Sequence, residues 1–191
     1  MHPALILDFW FGPSTDPAHT QTRSQWFRKD AAFDAEITRR FGPLIDAALA
    51  DELQDWTTTP ESTLALILVL DQFTRNTGRD TPRAFAGDPR ALSLAKSLVT
   101  SGADQTLTGV QRQFVYLPFE HSESLADQDE SIRLFAQLGR DEPALAGLLE
   151  WAERHRVIVA RFGRFPHRNA ALGRPNTAEE SEFLQQPGSG F

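Results

Sequence analysis

Apolar residues recur along this chain at helical spacing, and the breaks between the repeats carry helix start and stop signals. Phe33, Ile37, Phe41, Leu44 and Leu49 fall on one face of a helix that Asp30 or Asp34 can cap. Gly42-Pro43 interrupts that face, since proline lacks an amide proton and crowds the preceding turn, so two shorter helices compete with one bent helix. Thr59-Pro60-Glu61 combines a capping hydroxyl, a first-turn proline and an acid at the positive dipole end, and predicts a helix running to Arg75. Within it Leu64 to Leu70 is apolar on every side, which places this segment at the centre of the protein. A strand is the alternative there, disfavoured by Leu and Ala in place of β-branched residues.

The pattern continues to the C-terminus. Asp88-Pro89 opens a helix with Leu92, Ala95 and Leu98 inward and Gly102 at its left-handed cap. The next helix spans about 109–123 and should kink at Pro118. Leu125, Ile132, Phe135 and Leu138 mark another, and Leu148, Ala152, His155 and Val159 align on a helix over roughly 143–162 that Gly163 ends. A long polar loop, Arg164 to Asn176, leads to Thr177-Ala178-Glu179-Glu180, a capping box that starts a short last helix. The expected fold is all-α, a single domain over 1–184 built as a bundle or stack of antiparallel helix hairpins, with 185–191 a loose tail. No strict 34-residue repeat is present, although degenerate helix pairs of tetratricopeptide type fit the lengths.

Composition narrows the functional classes. A chain of 191 residues with 14 Phe and 4 Trp can bury one large core, and its net charge of −7 argues against general affinity for nucleic acid or anionic membrane. With no cysteine there is no disulfide framework, thiol catalysis or Cys-ligated metal. The N-terminal Met1-His2-Pro3-Ala4-Leu5-Ile6-Leu7-Asp8 has no basic stretch before its short apolar run, and no run is long enough to cross a bilayer, so a cytoplasmic protein is expected.

Three segments carry candidate chemistry. In Asp71-Gln72-Phe73-Thr74-Arg75-Asn76, polar groups follow directly on the buried apolar run; Asp71 and Arg75 are spaced for a helix-face ion pair, and Gln72 and Asn76 share the adjacent stripe. The plainer alternative is a satisfied end to a core helix. In Pro118-Phe119-Glu120-His121-Ser122-Glu123, a histidine lies among carboxylates: His121 could act as acid or base with Glu120 or Glu123 fixing its tautomer, or could simply cap a helix. The spacing Glu-His-x-Glu differs from the Glu-x-x-His of di-iron bundles and has no second copy, so no metal is assigned. The third segment is the most distinctive, because no acid occurs from Arg154 to Ala178 while six arginines and His155 and His167 do. Guanidinium groups grip carboxylate or phosphate at two points. Arg164, Arg168 and Asn169, with His167, are therefore candidate ligands for an anion, the alternative being arginines that pair internally with Asp71, Glu120, Glu123 and the other surplus acids. No phosphate-cradling glycine loop, nucleophile elbow or His-Glu-x-x-His motif appears, and no cofactor is assigned.

At these motifs the chain resembles a known family. Leu5-Ile6-Leu7-Asp8-Phe9-Trp10-Phe11-Gly12, Leu70-Asp71-Gln72-Phe73-Thr74-Arg75-Asn76, Glu120-His121-Ser122-Glu123 and Gly163-Arg164-Phe165-Pro166-His167-Arg168-Asn169 together resemble the bacterial family named domain of unknown function nine-two-four, over nearly the full length. The resemblance implies an all-helical, tetratricopeptide-like fold and no established activity. This chain departs from the usual Asp-Gln-Phe-Pro-Arg-Asn, having Thr74 and then Thr77-Gly78. The expected function is binding of an anionic small molecule or acidic peptide by Asp71, Gln72, Arg75, Asn76, Arg164, Arg168 and Asn169. The rivals are a hydrolase or lyase using His121 or His167 with Glu120 or Glu123, and a scaffold for another protein.

Overall fold

Side-chain caps account for where several of the helices begin. In the computed structural model, which describes residues 1–190, α1 (Ala4–Phe11) is followed by α2 (Ala31–Leu49), where the Asp30 carboxylate accepts the amides of Ala32 and Phe33. Pro43 lies inside α2, which continues unbroken: the proline is exposed while Phe41, Leu44 and Ile45 are buried, so the carbonyl it leaves unpaired one turn earlier faces water. One helix, not two, spans this segment.

Thr59 and Ser62 form a reciprocal capping box that starts α3 (Pro60–Ile67). The chain then widens into a π-helical segment, Leu68–Phe73, before a last turn, α4 (Thr74–Thr77). Leu64 to Leu70 are all within 2% of full burial, as a helix apolar all round requires. The later helices are α5 (Asp88–Ser101), α6 (Gly109–Glu120), α7 (Leu125–Asp141), α8 (Leu148–Phe162) and α9 (Ala178–Phe183). Gly102 and Gly163 take left-handed backbone at the ends of α5 and α8. Capping boxes at Thr108/Gln111 and Thr177/Glu180 open α6 and α9.

Each of α5, α6 and α7 packs on the helix that follows it, and α3 touches α1, α5 and α6, giving one compact all-helical domain. Every residue of α6 is buried, so the centre contains α6 beside α3. Among the described residues there is no strand, and no helix is long and apolar enough to cross a membrane. The segment expected as a loose tail begins with turns at Gln185 and Gln186, and Ser189 Oγ donates to the Leu184 carbonyl; residue 191 lies outside the described residues.

Candidate functional site

The π-helical turn brings a carboxylate to the end of the greasy segment. Asp71, 1% exposed, accepts Nδ1 of His121 at 2.7 Å and Nε2 of Gln72 at 2.6 Å, and lies 3.0 Å from the Arg75 guanidinium. An isolated carboxylate could not remain charged here. Burial opposes its ionisation, but Arg75 and the His121 contact outweigh that cost and hold the carboxyl well below the usual range. Arg75 spans two acids, because Asp88 in the first turn of α5 receives it with two parallel hydrogen bonds of 2.8 and 2.9 Å. The close seat of α5 has a visible cause: Gly87 lies so near Leu70 that an added Cβ would meet the Leu70 carbonyl oxygen at 2.2 Å.

Arg168 arrives from the loop after α8. Its guanidinium is stacked 4.5 Å from the Phe165 ring centroid and 4.8 Å from that of Phe85. It reaches Asp88 Oδ2 at 3.4 Å, and its buried Nε has no hydrogen-bond partner among the described residues. Burial, with the neighbouring charge of Arg75, lowers its pKa to about 10, so the group remains a cation at neutral pH. Arg168 is thus a buried guanidinium whose Nε donor is unused among the described residues, an arrangement that costs energy unless something else accepts it.

Histidines fill the space between these charges. His121 caps the C-terminus of α6, and buried Gln128 fixes that end by donating to the Glu120 and Ser122 carbonyls at 2.6 Å each. The His121 imidazole is 14% exposed, and among the described residues no hydrogen bond reaches its Nε2. Burial and then Arg75 lower its pKa. His155 of α8 lies 6.3 Å from His121 between ring centroids, with Nδ1 donating to the Trp151 carbonyl at 2.8 Å and lying 3.2 Å from Glu120 Oε1. Burial lowers the pKa of His155 to about 3 and that of His167 to about 4. Burial next to Asp71 pushes Glu120 up to about 8, so it is a neutral acid at pH 7. The result is a site of two cations, two carboxylates and neutral imidazoles around one neutral carboxyl.

The sequence-predicted residues divide into two sets. Asp71, Gln72, Arg75, Glu120, His121, His167 and Arg168 converge: His167 is shifted by the charges of Arg168 and Arg75, and Arg168 by Asp71. Arg164, Asn169, Asn76 and Glu123 are committed to structure. Arg164 makes a two-point ion pair with Glu180, and Asn169, fully buried, bonds Asn176 and Arg174. Asn76 donates to Asp34, which also holds Arg79, so these residues tie α4 to α2. Glu123 receives Arg174 at 2.7 and 2.9 Å and the Phe165 amide at 2.8 Å, which positions the loop carrying Arg168. The acid that orients His121 is accordingly Asp71, and neither Glu120, which faces His155, nor Glu123 does so.

Internal pairing accounts for most of the arginine-rich stretch. Arg154, Arg156, Arg161, Arg164 and Arg174 each bond an acid within 3 Å, and Arg168 alone of the six makes its acid contact at 3.4 Å. Sequence reasoning missed Asp88 and Phe85 as site residues. Asp88 reads locally as a helix starter, and no local signal pairs it with Arg75 or Arg168. Among the described residues no group of three or more His, Asp or Glu side chains is arranged to hold a metal ion. A groove of about 600 Å³ lies elsewhere, on the outer face of α8 between Trp151, Val157, Phe183, Pro187 and Gly190.

Comparison with known proteins agrees on architecture. A solved structure of a protein of unknown function, ATU0120 from Agrobacterium tumefaciens, superposes with a TM-score of 0.82 at 43% identity, covering 96% of each chain. No curated protein matches. A family model described as a bacterial protein of unknown function matches residues 6–188, and that extent, running through every motif that builds the polar site, makes this chain a member of the DUF924 family.

Proposed function

We propose that this protein binds a small anionic molecule carrying a carboxylate or phosphate, with Arg168 as its anchor. The observation that carries this reading is the Arg168 guanidinium itself: lying over two phenylalanine rings, nearly excluded from water, and held among the described residues by one long contact to Asp88. A guanidinium presents five donors in a planar fork, and burying one without acceptors costs several times what a single hydrogen bond returns. An oxyanion from the ligand would supply the missing acceptors. Asp71 and Asp88 together balance Arg75 and Arg168 in charge, so it is the unused donor of Arg168, and not a net positive charge, that favours an oxyanion over a neutral ligand. The neutral His121 and Gln72 nearby offer polar contacts without adding charge.

The same reading extends to the setting. A cytoplasmic metabolite-binding protein fits the acidic surface, and the consecutive packing of α5 to α8 fits a degenerate tetratricopeptide-like stack, whose concave side commonly receives ligands. The test is thermal shift followed by calorimetry with phosphorylated and carboxylated metabolites and an acidic peptide, comparing the wild type with Arg168→Gln. A ligand of the proposed class binds wild type and loses roughly 10–100-fold in affinity to the variant, the usual cost of removing a charge-assisted hydrogen bond. Binding by the acidic peptide alone assigns the site to a protein partner. Absence of any stabilisation across the panel, or equal binding by Arg168→Gln, rejects the reading.

A further inference from the structure

At this polar site, Asp71 and His121 stand as an oriented carboxylate–imidazole pair. We propose that the pair is a general base, so that the anion held by Arg168 is a substrate from which His121 Nε2 removes a proton. The inference rests on the anion-binding reading for its substrate and on separate geometry for its chemistry. The 2.7 Å contact between Asp71 Oδ1 and His121 Nδ1 joins a carboxylate, which can only accept, to a ring nitrogen that must then carry the proton. Nε2 is left with its lone pair, on the side of the ring to which no described residue bonds. Asp71 is in turn fixed by Gln72 and Arg75, and the backbone of His121 by its bond to the Leu117 carbonyl at the end of α6. Both partners are therefore held in place before a ligand arrives, as acid–base catalysis requires.

The step balances without any further reagent. A bond from the substrate to hydrogen, on oxygen, nitrogen or a carbon made acidic by an adjacent carbonyl, breaks, and the proton forms a bond to Nε2. The electron pair stays on the substrate, where the Arg168 guanidinium faces the added negative charge, and the Asp71 carboxylate faces the imidazolium. Return of the proton to the product restores the pair. The substrate class is a small carboxylate- or phosphate-bearing molecule with such an acidic hydrogen. Asp71 acts as a positioning residue, setting the tautomer, and His121 as the catalytic one.

The test reads the tautomer and the reactivity of His121 in the intact protein. In wild type, long-range proton–nitrogen NMR of histidine-labelled protein is expected to show His121 protonated on Nδ1 and free on Nε2. Carbethoxylation by diethyl pyrocarbonate, mapped by mass spectrometry, is expected to modify His121 about tenfold faster than buried His155, since only an accessible neutral nitrogen attacks the reagent. Asp71→Asn is expected to slow that reaction about tenfold by releasing the tautomer; should this variant fail to fold, the wild-type spectrum decides alone. A proton on Nε2, or a His121 no more reactive than His155, overturns the proposal. Inorganic phosphate and citrate provide the separate arm: their failure to protect a reactive His121 counts against the Arg168 reading and leaves the general base standing.

Discussion

Glu120 offers the sharpest check on the electrostatics of the site. It is 4% exposed, has no cationic partner among the described residues, and its pKa rises to about 8 from an ordinary 4.5 through burial and the neighbouring charge of Asp71. In the unfolded chain the group ionises near 4.5, so between pH 4.5 and 8 the folded protein holds a proton that the unfolded chain has lost. The contribution of Glu120 to stability must fall with rising pH across that window. At about 1.4 kcal/mol per unit, the contribution is below about 1 kcal/mol at pH 5 and about 3 kcal/mol at pH 7. Glu120→Gln keeps the shape and the acceptor facing His155 but cannot ionise. Its melting temperature should therefore gain on that of wild type by about 5–10 °C as pH goes from 5 to 7, at roughly 2–4 °C per kcal/mol for a chain of this size. Differential scanning calorimetry of both proteins over pH 5 to 8.5 measures this directly. The change in the gap with pH is the relevant quantity, because any constant difference between Gln and protonated Glu drops out of it. A gap that stays level across the range would mean that Glu120 ionises normally, and the account of the site as a dry cluster would be wrong.

Three further outcomes follow from particular contacts. Gly87→Ala drives a Cβ into the Leu70 carbonyl and should cost about 1–3 kcal/mol, while drawing Asp88 off Arg75; a melting temperature equal to that of wild type would show the seat of α5 to be looser than described. His155 is held neutral, with its pKa lowered to about 3, so the unfolded chain binds the extra proton below 6.5 and this group's contribution to stability falls by about 2 kcal/mol on acidification to pH 5, opposite in sign to that of Glu120; His155→Gln lacks it, so its stability relative to wild type should rise as pH falls, read by urea titration of both proteins. Arg164→Ala removes the clasp on Glu180 and should speed protease cleavage within 164–177 while leaving anion affinity unchanged, a result that a shared loss of binding would contradict.

Local rules account for the helices, because each depends only on neighbours a few residues away. The face of Phe33, Ile37 and Phe41, the caps at Asp30, Thr59 and Thr177, and the left-handed glycines at 102 and 163 are all legible in the order of residues. The fully apolar Leu64–Leu70 likewise announces a central helix, since a helix with no polar side must be covered on all sides. Pro43 left one helix or two open, because whether a proline breaks a helix depends on whether water can reach the carbonyl it frees. Local rules also gave no sign that the buried helix widens to a π-turn at Asp71.

The residue types of the site were readable from the sequence, and their partners were not. Arg75 meets Asp88 across 13 positions, His121 meets Asp71 across 50, and Arg168 meets Asp88 across 80. Those separations are set by how α3, α5, α6 and the loop after α8 pack, which no local pattern encodes. Six arginines in one acid-free stretch look equivalent on paper, yet packing gave five of them close acids and left Arg168 buried with its Nε donor unpaired among the described residues. Secondary structure is decided by short-range sterics and backbone hydrogen bonding, which the sequence carries directly. Charge pairing and desolvation depend on which groups share a low-dielectric space, and only the folded chain decides that.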